Sequence, residues 1–371
     1  AALALAAIPV VCLVIAFLHL RHVGLALAAA FAPLPGLIAA ASLVHGATVE
    51  PLSLAYLTGL TVALFLADDI ALRVIEGAGG PDAMATTLKE NWLACCAAIL
   101  AASAFTALLL FAGHHARTPF IATCAELAAG FGALIVLPLI ASLLPFGEDF
   151  VARANRLREL RERLLEKIAA VTEPHWGWSL TGIGVVFLAL AFFGSRSLHA
   201  TPGIAHSAPV IWLVAMVVTI GASLAATRDW RRSLAVLIAL GLAALTGCWG
   251  FARAGVPLNV NSWLALMQVL GIGAVLVLLV AAAARPDADE DATAASVRSL
   301  LGKTSAAVAS SLCALTVLLA LSLSLGGEAL ALAVVIVFAG VGAVLLQPAL
   351  TIAIETLAPR RSTIEARYRV N

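Results

Sequence analysis

Eleven apolar runs divide this chain, each of about 20 residues and so long enough to cross a bilayer as a helix. They fall at roughly 1–20, 23–45, 52–75, 92–112, 119–144, 178–194, 208–227, 233–252, 259–284, 304–325 and 328–354. A backbone in lipid must bond its own N–H and C=O groups, which such runs achieve as helices. Composition agrees: 62% of the 371 residues are hydrophobic and 12% charged, about half the charge of a soluble domain. The expected fold is an all-α polytopic membrane protein.

The same composition excludes several functions. A net charge of +1 with no basic stripe and interleaved aromatics leaves no nucleic-acid partner. The six cysteines, Cys12, Cys95, Cys96, Cys124, Cys248 and Cys313, sit in apolar segments without metal-type spacing. They read as small core hydrophobes. His114 and His115 read as a solvated loop pair. No phosphate-binding loop, HExxH helix or GxSxG elbow is present, so the expectation is a protein that is not an enzyme and needs no metal or cofactor. The first residue, Ala1, lies inside an apolar run without a basic flank. The expectation is therefore not a signal peptide but a sequence that begins partway into a longer protein.

Between the fifth and sixth runs lies "EDFVARANRLRELRERLLEKIAAV". Val151, Leu157, Leu160, Leu164, Leu165 and Ile168 recur there at helical spacing among dense charge, the pattern of an amphipathic helix lying on the membrane surface. If the spans alternate from an outer N-terminus, 19 of the 22 basic residues fall inside, and only Arg117, Arg196 and Arg253 fall outside. Lys and Arg collect on the cytoplasmic side. The reading is thus a multi-pass protein of a bacterial inner membrane, with its first residue periplasmic and its C-terminus cytoplasmic.

The two halves echo one another. "GALIVLP" (Gly132 to Pro138) matches "GAVLLQP" (Gly342 to Pro348), and "SAFTALLL" (Ser103 to Leu110) lies against "CALTVLLA" (Cys313 to Ala320), aligning Thr106 with Thr316. "PLS" at Pro51 aligns with "PLN" at Pro257, and the basic turn at Arg21 with Arg231 and Arg232. The offsets lie near 210, so helices 1–5 correspond to helices 7–11 as parallel repeats about an axis along the membrane normal. The expected division is a first repeat at 1–147, the surface helix at 148–175 and a linking helix with a short outer loop at 176–207. A second repeat at 208–358 and a basic cytoplasmic tail at 359–371 complete it.

One run carries charge in its interior. "GLTVALFLADDIALRVIE" places Asp68 and Asp69 side by side, where an ionised carboxylate costs roughly 2.5–3.5 kcal/mol on insertion scales. Keeping one protonated or pairing one with a cation relieves that cost. Arg73, four residues on, can reach back to Asp69. Adjacent helical residues point about 100° apart, so the two acids face different neighbours. A carboxyl that water reaches here is a proton-binding site. The plainer alternatives are a structural pair bonded to Ser or Thr on adjacent helices, or an acid that snorkels to the cytoplasmic face. Glu126 in "TCAELAAGFG" is a further intramembrane acid, suited either to line a cavity or to bond across helices.

This stretch resembles the fourth transmembrane helix of the resistance–nodulation–division (RND) superfamily. "GVPLNVNSWLALMQVLGIGAVLVLL" (Gly255 to Leu279) resembles the corresponding second-half helix of MMPL-type and hopanoid-exporter-type members, with a Pro-Leu-Asn opening and a Gly-Ile-Gly turn. The resemblance covers nearly the whole chain at the level of helix pattern. It implies a proton relay at Asp68 and Asp69, biased by Arg73, with Thr106 and Thr316 at relay hydroxyl positions. It also implies proton-driven export of lipids or other hydrophobic molecules, with membrane lipids around the chain and a homo-oligomer or other membrane subunits as partners. Three departures stand against the family pattern. The positions opposite the aspartates, about Ala274 and Val275, carry no acid or Lys, which leaves a one-sided relay leaning on Asp68, Asp69 and Thr106 with Lys303, Thr304 or Ser311. The family's first helix and its large extracytoplasmic porter domains have no counterpart in this sequence. A second function class follows from those departures: a non-transporting structural or assembly subunit of a larger membrane complex.

Overall fold

The computed structural model describes residues 2–43, 49–111, 117–147, 174–196, 202–257, 259–283 and 292–357, with 150, 151, 163 and 167. Most of the surface-helix segment, His114, His115, the Lys303 side chain and the basic tail lie outside the described residues.

The described residues form helices and no strand. In chain order these are α1 (Ala2–Leu20), α2 (Val23–Phe31), α3 (Leu34–Leu43), α4 (Val49–Ile75), α5 (Gly80–Ala107), α6 (Arg117–Ala141) and α7 (Pro174–Ser195). They continue as α8 (Pro202–Thr227), α9 (Trp230–Ala254), α10 (Val260–Ala283), α11 (Ala292–Leu325), α12 (Gly327–Val341) and α13 (Gln347–Leu357). Among the described residues ten spans are long and apolar enough to cross a membrane, and Ile8–Leu20 of α1 is a shorter apolar helix. The chain is a multi-pass all-α membrane protein.

Several boundaries differ from the sequence reading, each for a local reason. The run at 23–45 is two helices, because Pro33 and Pro35 lack the N–H groups that would carry the ladder across residues 32–35. Tyr56 of α4 donates its hydroxyl to the Ala30 carbonyl beside this break (2.9 Å). α5 begins at Gly80, so the polar segment 80–91 is helical and not a loop. α8 begins at Pro202, which makes the end of the expected outer loop helical, and α7 begins at Pro174, inside the segment assigned to the surface helix. "GIG" at Gly271–Gly273 lies inside α10 and makes no turn.

α12 and α13 are one span interrupted at Gly342–Leu346 by a π-helical turn. There the N–H of Gln347 bonds the Gly342 carbonyl, five residues back. Pro348 is the cause: its ring crowds the carbonyl four residues before it and it donates nothing, so the turn widens.

Helix contacts come in corresponding pairs. α1 packs on α11 and α8 on α5; α4 packs on α11 and α10 on α5. α6 packs against α3, α4 and α5, while α12 packs against α9, α10 and α11. The short turns after α1 and α8 are built alike, with Arg21 at φ 56° and Arg228 at φ 54°. Each is followed by a side-chain cap: His22 accepts from the N–H of Leu25 and Asp229 from that of Arg231. α4 and α10 meet at the centre. Every residue of α10 from Ser262 to Ala282 is buried, as a helix apolar on all faces must be. Gln268 of α10 donates to the Pro51 carbonyl of α4 (3.0 Å), which ties the N-terminal part of α10 to the N-terminal end of α4.

Candidate functional site

The α4 helix is enclosed on all sides over most of its length, and its buried residues include Asp68. The 100° step between Asp68 and Asp69 sends them to different neighbours. Asp68 faces α1, where His19 Nε2 lies 3.1 Å from its Oδ1. Asp69 faces α5: its Oδ2 accepts from the Asn91 amide (3.0 Å) and from Arg73 Nε (3.2 Å). Asn91 is held in turn by donating to the Thr87 carbonyl (2.9 Å). The other arm of Arg73 pairs with Glu90.

Side-chain exposure rises in order along this cluster. It is 1% at Asp68 and 7% at His19, 14% at Asp69 and 23% at Arg73, and 43% at Glu90. The groups thus fall into two sets, a sealed His19–Asp68 pair between α1 and α4 and a more exposed Asp69–Arg73–Glu90 set between α4 and α5, joined through the adjacent residues Asp68 and Asp69. His19 and Asp68 are close enough to share a proton. Both are buried, so a charge on either gains from the nearness of the other.

The remaining sequence candidates lie elsewhere. Thr106 is fifteen residues beyond Asn91 on α5, about 22 Å at 1.5 Å per residue. It donates to Glu126 Oε2 (2.8 Å) and not to the aspartates. Thr316 donates to the Leu312 carbonyl of its own helix (2.9 Å). On α11, the free thiol of Cys313 lies beside that of Cys12 on α1. From that contact, His19 lies seven residues toward the C-terminal end of α1 and the buried Thr304 nine residues toward the N-terminal end of α11, about 10 and 14 Å respectively. Thr304 and its neighbour Ser305 are therefore α11 hydroxyls near the depth of Asp68, and Thr316 lies beyond Cys313 toward the other end of α11. Ser311 bonds the Ala307 carbonyl (2.8 Å). Among the described residues no group of three or more His, Cys, Asp or Glu gathers as a metal site would require.

Sequence reasoning missed His19, Glu90 and Asn91. His19 lies two residues before the basic turn at Arg21 and reads as part of that turn. Only the packing of α1 on α4 reveals its partner.

No protein-family model and no curated protein sequence matches this chain. Solved structures do. SecDF in its super-membrane-facing form matches with a TM-score of 0.69 at 14% identity, over 98% of this chain and 63% of that one. SecDF from Thermus thermophilus, described as a translocon-associated membrane protein, matches with a TM-score of 0.70 at 14% identity, over 96% of this chain and 63% of that one. The chain thus spans less than two thirds of the length of the SecDF chains it matches. At that identity the likeness is one of fold: these helices have the transmembrane fold of the SecDF structures.

Proposed function

We propose that this protein is a proton-coupled transporter of the RND type, with His19, Asp68, Asp69 and Arg73 as its proton site. The observation that carries the reading is the cluster itself: a sealed His19–Asp68 pair, and next to it in the chain Asp69, which Arg73 joins to the half-exposed Glu90. A chain with no use for a buried carboxyl would favour an apolar residue there, since burial of an ionisable group is expensive. In the proposed cycle a proton on the His19–Asp68 pair is handed towards Asp69, and Arg73 alternates between Asp69 and Glu90. The change in charge shifts α4 against α11 and α10, so the two five-helix repeats rock about the central pair. The corresponding helix contacts and matching turns of the two halves support the repeat division. The 19-to-3 split of basic residues supports an inner-membrane orientation with Glu90 on the cytoplasmic side. The substrate class, lipids or other hydrophobic molecules moved outward, follows the MMPL-type resemblance of Gly255 to Leu279.

The test is His19. His19→Ala removes a proton acceptor and leaves Asp68 beside a cavity. It is expected to lower proton flux in proteoliposomes by about a hundredfold, the lower edge of what a positioned proton-transfer group contributes. His19→Gln, similar in reach but unable to take up a proton, is expected to fail equally. Full flux in both would remove His19 from the site.

A second reading is an assembly subunit of a larger membrane complex. It is favoured by the description of the Thermus SecDF as translocon-associated and by α7 and α8, which expose large apolar side chains such as Phe187, Phe193, Leu213 and Val217. Co-purification with other membrane subunits in a fixed ratio, with full function retained after Asp68→Asn, would select this reading over transport.

A further inference from the structure

A second buried acid lies far from the cluster just described. Glu126 of α6 is fully buried at the end of a chain of hydroxyl groups that starts at Thr123 in the second turn of α6. Thr123, half-buried, lies 2.8 Å from the Pro119 carbonyl and 3.1 Å from Thr106 Oγ1. Thr106, fully buried, lies 2.9 Å from the Ser103 carbonyl and 2.8 Å from Glu126 Oε2. Glu126 Oε1 has no hydrogen-bond partner among the described residues, and the Gln268 side chain is the other polar neighbour of the carboxyl.

Each hydroxyl has a single proton and two acceptors in reach, which gives the chain two complete arrangements. With Glu126 ionised, Thr123 donates to Thr106 and Thr106 donates to Glu126. With Glu126 neutral, its own O–H donates to Thr106, Thr106 turns to the Ser103 carbonyl, and Thr123 turns to the Pro119 carbonyl. Neither state leaves a hydroxyl unsatisfied. A purely structural acid needs only one of them.

We propose that Glu126 is a second proton-binding site, loaded through Thr123 and Thr106 from the end of α6 opposite Glu90. In the loading step Thr123 takes a proton from water as its own passes to Thr106, and the Thr106 proton passes to the Glu126 carboxylate. Both hydroxyls then rotate back to their starting acceptors. No other reactant is required. Because Gln268 also holds the Pro51 carbonyl, the occupancy of Glu126 is felt at the joint between α4 and α10.

The charged and titratable groups of the surrounding helices stand at other levels. On α6 itself these are Arg117 in the first turn and Cys124. On α4 they are Glu50 at the outer end, Tyr56, and Asp68, Asp69 and Arg73 at the inner end. On α5 they are Asp82, Lys89 and Glu90 toward the inner end, and Cys95 and Cys96 near its middle, about three turns short of Thr106. α2, α3 and α10 carry none. The inference extends the proton-coupled reading and rests on it only for what the bound proton is used for.

The experiment is infrared difference spectroscopy of the purified protein in nanodiscs, stepped in pH in H2O and in D2O, with protons from the buffer as the only ligand. The expected result is a titrating carboxylic-acid carbonyl band that shifts in D2O, disappears in Glu126→Gln and persists in Asp68→Asn. Thr106→Val, which leaves the carboxyl in place, is expected to move the band and slow its appearance by about tenfold, the factor that goes with one lost hydrogen bond. A titrating band that survives in Glu126→Gln and vanishes in Asp68→Asn overturns the inference and leaves the reading of Asp68 standing. No titrating band in any variant overturns both. Should Glu126→Gln fail to fold, an unshifted band with unchanged kinetics in Thr106→Val overturns the inference by itself.

Discussion

Asp68→Asn is expected to reduce proton flux through the reconstituted protein by about a hundredfold or more, with no loss of thermal stability. The substitution is isosteric and keeps a polar atom opposite His19 Nε2, 3.1 Å away in the native pair. What it removes is the exchangeable proton and the charge. Stability survives because a buried ionisable group is itself a burden on the fold, and a neutral amide of equal size relieves it. Asp69→Asn is expected to be milder. Asp69 is already held by Asn91 and Arg73 and is more exposed than Asp68. The decay of an imposed pH gradient in proteoliposomes measures the first effect and a melting curve in detergent the second. A variant that unfolds, or one that keeps full flux, would contradict the assignment.

Gly59→Leu is expected to abolish the folded protein altogether. A Cβ at Gly59 would stand 2.6 Å from the Ala129 carbonyl oxygen and 2.8 Å from the Pro33 side chain. The obstacle is backbone, so no rotamer change relieves it. Gly36 of α3 packs in the same manner on the Ala128 carbonyl. Gly130 of α6 receives the Ile99 side chain of α5, which would lie 2.8 Å from a Cβ at that position. The Ala128–Gly132 segment of α6 is thus the seam on which α3, α4 and α5 close. Lipid gives no hydrophobic drive for helices to associate, so close packing through small residues has to supply the association. Ordinary overpacking costs about 1–3 kcal/mol; here α4, which carries the aspartates, would have to leave α6. Loss of the monodisperse peak in size-exclusion chromatography is the expected observation. Gly221→Leu, at a position with open space around it, is the matched control and should purify normally.

Much of this architecture is legible in the residues. The spans, the acid pair in α4 and the reach of Arg73 back to Asp69 are local properties, set by hydropathy, by the 100° step and by four-residue spacing. The depth of Thr106 was legible too. α4 and α5 are antiparallel neighbours, so an acid near the end of one and a threonine near the far end of the other occupy opposite faces of the membrane. Shared position in a repeat is a weaker guide than that geometry. His19 was not legible, because its role exists only where α1 meets α4, 49 residues away in sequence. The early start of α5 was hidden for a different reason: segment 80–91 is polar enough to fall outside any apolar run, and it is helical because it continues a buried helix and carries Pro81 in its first turn. The break at Pro33 and the wide turn before Pro348 follow from proline chemistry, which hydropathy does not register.

The central claim is that the His19–Asp68 pair exchanges protons with the face that carries Glu90. Electrometry on a solid-supported membrane tests it most directly, with the protein reconstituted in one orientation and the pH stepped on the Glu90 side. The account predicts a transient charge displacement in the wild type, its loss in Asp68→Asn, and an unchanged displacement in Ser142→Ala. An equal displacement in Asp68→Asn and the wild type would contradict it.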